Sequence, residues 1–267
     1  MSSKLRFITV VSALIASYTV ATTTYSQISP DKTTVATQIV AIGEYQPGEF
    51  YIPSGSTALA LVAGASGSEL IYTTVTIDTV YNQATFDTSA LRVSVAADDS
   101  VQFILYSEDD LFERVSAGPV TSFDDARGFY YPGQQRAFWV MTEKNSEWWM
   151  LSATGTATDT REQNASYDTY PLKIHDYALK LHDHPGPAPC DHICRTLVKV
   201  EIILDASMAP VVRWVGDLDV DGKLDMIVDL SSVPEFGGPA LFLSSDAKDG
   251  SLIRPVTWLA PVKPDGC

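Results

Sequence analysis

Basic residues are scarce in this chain: 18 Lys and Arg stand against 33 Asp and Glu, leaving a net charge of -15. Nucleic acid binds proteins largely by exchanging condensed cations for such side chains, so it is not expected as a partner. Strongly apolar runs of the roughly twenty residues that span a bilayer are also missing. The uncharged stretch from Phe7 to Ala21 is shorter and is interrupted by Thr9, Ser12, Ser17 and Thr19, so no membrane span is expected in the mature chain. Cysteine is limited to three residues, too few for a disulfide scaffold. Helical hydrophobic spacing is hard to find, and no self-similar period of the kind that builds propeller blades is visible. Catalytic signatures are missing as well: there is no Gly-x-Ser-x-Gly elbow, His-Glu-x-x-His, Walker loop or strand-linked Gly-x-Gly-x-x-Gly. A non-catalytic role is therefore favoured.

What is present describes a globular chain. With 267 residues, 45% of them hydrophobic and 10% aromatic, it can bury a substantial core without a metal or disulfide scaffold. Lys4 and Arg6 followed by the apolar run Phe7 to Ala21 read as a signal peptide over residues 1–26, which predicts a secreted or periplasmic protein. Exported thiols meet an oxidising environment and usually pair. Cys190 and Cys194 lie in Cys-Asp-His-Ile-Cys, and Cys267 ends the sequence. A tether from Cys267 would close a far longer loop than a Cys190 to Cys194 bond. It would constrain the unfolded chain by roughly 4 kcal/mol, so it is favoured over that shorter alternative.

Short β-branched and aromatic runs separated by turn residues predict a mostly β protein. Strands are expected over Ala58 to Val62, Leu70 to Val80, Leu91 to Ala96, Val101 to Tyr106, Arg136 to Thr142, Trp148 to Ala153, Leu172 to Leu181, Leu197 to Leu204, Val211 to Val215, Met226 to Leu230 and Ala240 to Leu243. Val75 and Ile77 alternate with Thr74, Thr76 and Asp78, the in-out pattern of an antiparallel sheet with one wet face. The expected architecture is antiparallel sandwich or barrel-like sheets, not a full propeller. An N-terminal β domain over 27–121, a connection over 122–134 and a C-terminal β domain over 135–267 complete the organisation.

The sharpest motif is Asp217-Leu-Asp219-Val-Asp221-Gly222-Lys223-Leu-Asp225. Calcium takes six to eight oxygens at about 2.3–2.6 Å, and alternating Asp side chains on a tightly curling backbone can converge on one point where a Gly permits the turn. Asp217, Asp219, Asp221 and Asp225 are the expected side-chain ligands, Lys223 would add its backbone carbonyl, and calcium is the expected ion. Magnesium is disfavoured, since its small octahedral shell keeps waters. An EF-hand would place a Glu where Val228 stands, and the flanks read as strands rather than helices.

Position by position, the four aspartates resemble the calcium loop of FG-GAP or VCBS-type repeats, found in integrin α-subunit propellers and in many secreted bacterial proteins. The resemblance implies a loop that bridges two strands around calcium. It is limited to about the last fifty residues, from Trp214 onward, a block that also resembles the C-terminus of exported bacterial proteins and implies no activity.

Two weaker constellations define alternatives. His175, His182, His184 and His192 crowd into one stretch together with Cys190 and Cys194. Imidazole and thiolate are zinc's preferred donors, so an exported hydrolase, with or without zinc, is one alternative; solvated turn residues are the plainer reading. Trp139, Trp148 and Trp149 lie on an expected hairpin, and adjacent Trp148 and Trp149 must point to opposite sheet faces. Core packing is the plain expectation for them. An exposed indole would instead mark a carbohydrate-binding module, making a glycan or an exterior protein the partner besides calcium.

Overall fold

The computed structural model describes residues 37–45, 47–64, 67–82, 87–95, 100–142, 146–159, 172–183, 194–200, 203–233, 236–247 and 252–258. The expected signal peptide, Cys190, Cys267, His184 and His192 lie outside the described residues. In chain order the elements are β1 (Thr37–Val40), β2 (Gly43–Tyr45), β3 (Thr57–Gly64), β4 (Gly67–Asn82), β5 (Asp87–Val95), β6 (Val101–Ser107), α1 (Leu111–Arg114), β7 (Gly118–Ser122) and β8 (Gly128–Phe129). They continue with β9 (Gln135–Met141), β10 (Ser146–Asp159), β11 (Leu172–His182), β12 (Cys194–Val200), β13 (Leu204–Asp205), β14 (Val211–Asp217), β15 (Asp225–Asp229), β16 (Pro239–Leu243) and β17 (Arg254–Trp258). The protein is mostly β and its strand pairs are antiparallel. Among the described residues no helix is long and apolar enough to cross a membrane.

Twelve strands form one sheet in the order β1-β6-β3-β4-β7-β14-β15-β16-β17, with β2, β5 and β8 attached at its flanks. The sheet curls until it is nearly closed and barrel-like. At the seam the Thr257 hydroxyl of β17 donates to the Thr37 carbonyl of β1 at 2.6 Å. Ile39, Leu59, Leu61, Leu70, Phe103, Leu105, Trp214, Ile227 and Leu241 meet in a single buried cluster inside the curl. The sheet takes strands from both sides of residues 122–134, a segment that holds the end of β7, a 3-10 turn and β8.

Five further strands form a second sheet, β12-β11-β10-β9 with β13 beside β11. Its inward side chains Phe138, Trp149, Leu151, Ile174, Tyr177 and Leu179 pack against Val212, Val215, Met226, Val228 and Phe242. Strands β14 to β16 are thus covered on both faces. Ile227 points into the barrel while its neighbours Met226 and Val228 point to the second sheet, and Leu241 and Phe242 divide in the same way. Burial on both sides explains why β15 and β16 read as apolar runs and β14 is interrupted in its middle only by the exposed Arg213, whereas Val75, buried between the exposed Thr74 and Thr76, shows the one-sided alternation.

Strands β1, β2, β7, β8 and β17 have no counterpart among the expected runs. Strand β1 emerges from a Thr-rich stretch, and Pro255 within β17 weakens the strand signal because proline cannot donate to a ladder. The run expected from Leu197 to Leu204 is divided between β12 and β13.

Gly216 sits where β14 passes between β7 and β15, pairing with Ser122 and Asp225. A Cβ at this position would lie 2.0 Å from the Thr121 carbonyl oxygen and 2.4 Å from the Trp214 ring. Because one obstacle is backbone, Gly216→Ala is expected to destabilise the protein at the upper end of the roughly 1–3 kcal/mol that overpacking costs. A urea midpoint equal to the parent's would contradict this packing.

Arg213 Nε and Nη2 donate to Asp229 Oδ2 at 3.0 and 2.8 Å, and the Ser231 N–H donates to Oδ1 at 3.0 Å. Burial works to raise the Asp229 pKa, but the Ser231 hydrogen bonds and the Arg213 charge outweigh it and hold the carboxyl below its ordinary 3.8. A depressed carboxyl stabilises the fold above its unfolded pKa, and that contribution is lost as pH falls through the folded value. Asp229→Asn should therefore flatten the loss of stability on acidification below about pH 4. Denaturant midpoints measured against pH check it, and a slope equal to the parent's is the contrary result.

Candidate metal centre

The Asp217 to Asp225 loop leaves β14 and returns as β15, so its flanks are strands. Two leucines pin it from opposite sides. Leu218 is fully buried in the barrel cluster, and Leu224 is fully buried in the cluster shared with the second sheet. Each such burial contributes about 1.5–3 kcal/mol. Between them the chain curls through positive φ at Val220 (56°) and Gly222 (93°). The left-handed conformation suits Gly222 but is costly for a β-branched residue, so the surrounding contacts must impose it on Val220. Thr142, just beyond β9, ties the loop to the second sheet by donating its hydroxyl to the Gly222 carbonyl at 3.2 Å.

Asp217, Asp219 and Asp225 each offer a carboxylate oxygen, and the three atoms lie within 4.8 Å of one another. Among the described residues this is the one group of three or more metal-ligating side chains so placed. Each carboxylate is oriented by loop N–H groups. Gly222 donates to Asp217 Oδ2 at 3.0 Å and Asp221 donates to Asp219 Oδ1 at 3.3 Å. Leu218 and Ser244 donate to the two oxygens of Asp225 at 2.7 and 2.8 Å. The remaining oxygens, Asp217 Oδ1 and Asp219 Oδ2, are buried and receive no hydrogen bond. Asp217 itself is 4% exposed and Asp225 0%.

A buried acceptor without a donor costs about 1–3 kcal/mol, and more when it is charged. The electrostatics carry that cost. Burial raises the pKa of all three carboxyls, most of all Asp225; repulsion from Asp219 adds to the rise at Asp225, and repulsion from Asp221 adds at Asp217 and Asp219. The donor set is oxygen alone, the kind that hard cations such as magnesium, calcium and manganese take.

Of the other two expected ligands, Asp221 lies outside the three-oxygen group, and Lys223, expected to offer its backbone carbonyl, turns its side chain outward. The Asp221 carboxylate accepts from Lys223 N–H at 2.8 Å and from the Ser244 hydroxyl at 3.2 Å, and stays outside the three-oxygen group. Lys223 is exposed, with its ammonium 3.8 Å from Asp221 Oδ2. Ser244 was not legible as part of the site. It lies after β16, yet it bonds both Asp225 and Asp221, and Ser245 beside it bonds Asp219. Arg114 from α1 lowers the Asp219 pKa from a distance while pairing with Asp246 at 2.9 Å. No spacing rule links these residues to the loop; only the fold brings them there.

The other expected groups separate. His175 and His182 sit seven residues apart on β11, which at about 3.3 Å per strand residue places them roughly 20 Å apart. The two cannot share one metal ion. His182 Nε2 is instead 2.8 Å from the Ser152 hydroxyl and 3.8 Å from Cys194 Sγ. Burial, helped by Lys180, lowers its pKa against the pull of Asp183. The Cys194 thiol is exposed and in no disulfide.

Removing one charge from the aspartate group should relieve repulsion when no cation is present. Asp219→Asn is expected to raise stability in excess EDTA by about 1–2 kcal/mol, because the amide can donate to a carboxylate oxygen that otherwise lacks a partner. Chemical denaturation checks it, and destabilisation in EDTA would contradict a group held together against its own charge.

Compared with family models, curated proteins and solved structures, the chain matches none.

Proposed function

We propose that this chain is an exported calcium-binding β protein with a structural or binding role and no catalysis of its own. One observation carries the reading: Asp217 Oδ1 and Asp219 Oδ2, buried and without donors, beside Asp225 in an all-oxygen group. A cation in reach of those atoms would supply the missing partner to both, and would offset both the burial that chiefly raises the three pKa values and the repulsion that adds to it. Asp217, Asp219 and Asp225 would hold it, with Asp221 and the Lys223 carbonyl as the remaining positions of the motif. The ion supplies charge neutralisation; the chain supplies the fixed geometry, through Leu218, Leu224 and Ser244.

The strand-loop-strand setting supports the resemblance to FG-GAP or VCBS-type loops, which bridge strands rather than helices. A secreted or periplasmic location, expected from Lys4, Arg6 and the apolar run that follows, is part of the same proposal, because calcium is plentiful there. Extracellular calcium modules bind in the range of about 10⁻⁴–10⁻³ M, weak enough to require an exterior supply.

Calcium that binds the folded loop and not the open chain adds RT ln(1 + [Ca]/Kd) to stability, about 2.7 kcal/mol at a hundredfold excess over Kd. For a domain of this size that raises the melting temperature by roughly 5–10 °C. Thermal unfolding of the full chain in calcium and in EDTA measures it. Identical melting temperatures, or the same gain in Asp219→Asn as in the parent, would overturn the proposal.

A further inference from the structure

The charge of the aspartate group is answered from outside its own loop. Arg114 ends α1, and α1 is anchored in the same core as the loop: Leu111, Val115 and Leu218 are all fully buried in the barrel cluster. The guanidinium is held at two points. Nη1 donates to Asp246 Oδ1 at 2.9 Å, and Nη2 lies 3.6 Å from Asp110 Oδ1. Its Nε is buried and has no acceptor, so the group is partly out of water.

Asp246 belongs to the turn that follows β16, closed by the Ala247 N–H on the Ser244 carbonyl at 2.9 Å. The same turn touches the aspartate group, since Ser244 donates to Asp225 and Asp221 and Ser245 to Asp219. Three consecutive residues thus bond the carboxylates on one side and Arg114 on the other, which fixes the guanidinium close to Asp219. The attraction is felt at both ends. Burial raises the Asp219 pKa and Arg114 opposes the rise; burial works to lower the Arg114 pKa, and Asp246, Asp110 and Asp219 together outweigh it. Lys223, a cation within the motif itself, has a side chain 62% exposed against 30% for Arg114, so water screens it better.

A cation beside crowded carboxylates does what a bound metal ion does: it stabilises their ionised forms. The two therefore compete. What Arg114 contributes to the ion-free loop it withdraws, by repulsion, from an entering divalent ion, and that repulsion is twice what a unit charge would feel at the same distance. If Arg114 served only to hold α1 against the turn, its loss would loosen Ser244 and Ser245 and weaken calcium binding. The two roles predict opposite signs.

We propose that Arg114 is a resident counter-charge that steadies the ion-free aspartate group and lowers the affinity of the loop for calcium. This rests on the calcium reading above and adds to it a residue that sets how tightly the ion is held.

Calorimetric titration of the metal-stripped full chain with calcium, together with urea unfolding in EDTA, tests it. Arg114→Gln keeps hydrogen-bonding capacity but removes the charge; it is expected to bind calcium about threefold or more tightly than the parent, and to unfold at lower urea in EDTA. Arg114→Lys retains the charge and should stay within about twofold of the parental affinity. Asp246→Asn leaves the guanidinium without its nearest anion and should weaken binding about twofold or more, which keeps the test open if Arg114→Gln does not fold. A parent that binds no calcium would refute the calcium reading and this inference with it. A parent that binds calcium, with Arg114→Gln equal or weaker, Arg114→Lys as tight as Arg114→Gln, or Asp246→Asn tighter than the parent, would overturn this inference alone.

Discussion

Three carboxylates with oxygens within 4.8 Å of one another, mostly out of water, repel each other more strongly than the same charges would in open solvent. That repulsion sets the terms for the surrounding structure. Asp217 ends β14 and Asp225 begins β15, so the two charges are fixed by the ladder that pairs Gly216 with Asp225. Asp219 is fixed between them because Leu218 and its counterpart Leu224 are each buried in a different core. The apolar contacts of the loop hold together what its charges would drive apart, and the backbone amides of Leu218, Gly222 and Ser244 partly solvate the carboxylates in place of water.

The architecture explains where such a loop can exist. Strands β14, β15 and β16 lie between the barrel interior and the second sheet, and their buried faces give the loop a rigid base on both sides. Gly216 allows β7 to approach that base closely, and Thr142 reaches the loop from the end of β9. The β9 and β10 hairpin that carries Trp139 and Trp148 is therefore joined to the loop through Thr142 and Gly222.

Much of this is legible in the sequence where a local rule applies. Asp217, Asp219, Asp221 and Asp225 stand out because loop ligands must alternate along a short segment, and β14 to β16 stand out because burial on both faces leaves few polar positions, such as Arg213, to interrupt them. Legibility ends where the fold decides. Asp221 satisfies the spacing but turns to Ser244, a residue after β16 that no pattern ties to the loop. His175 and His182 look clustered along the chain, yet an extended strand carries them apart. Trp148 and Trp149 alternate as adjacent strand residues must, but only the packing of the second sheet decides that Trp149 is the one inside and that Trp139 and Trp148 face out.

The most direct test of the account is a crystal structure of the full chain grown in calcium and refined with anomalous data. One ion is expected among Asp217 Oδ1, Asp219 Oδ2 and Asp225, at the oxygen distances of about 2.3–2.6 Å that calcium adopts. Carboxylates that share protons or bind only water there, with calcium bound elsewhere or not at all, would contradict it.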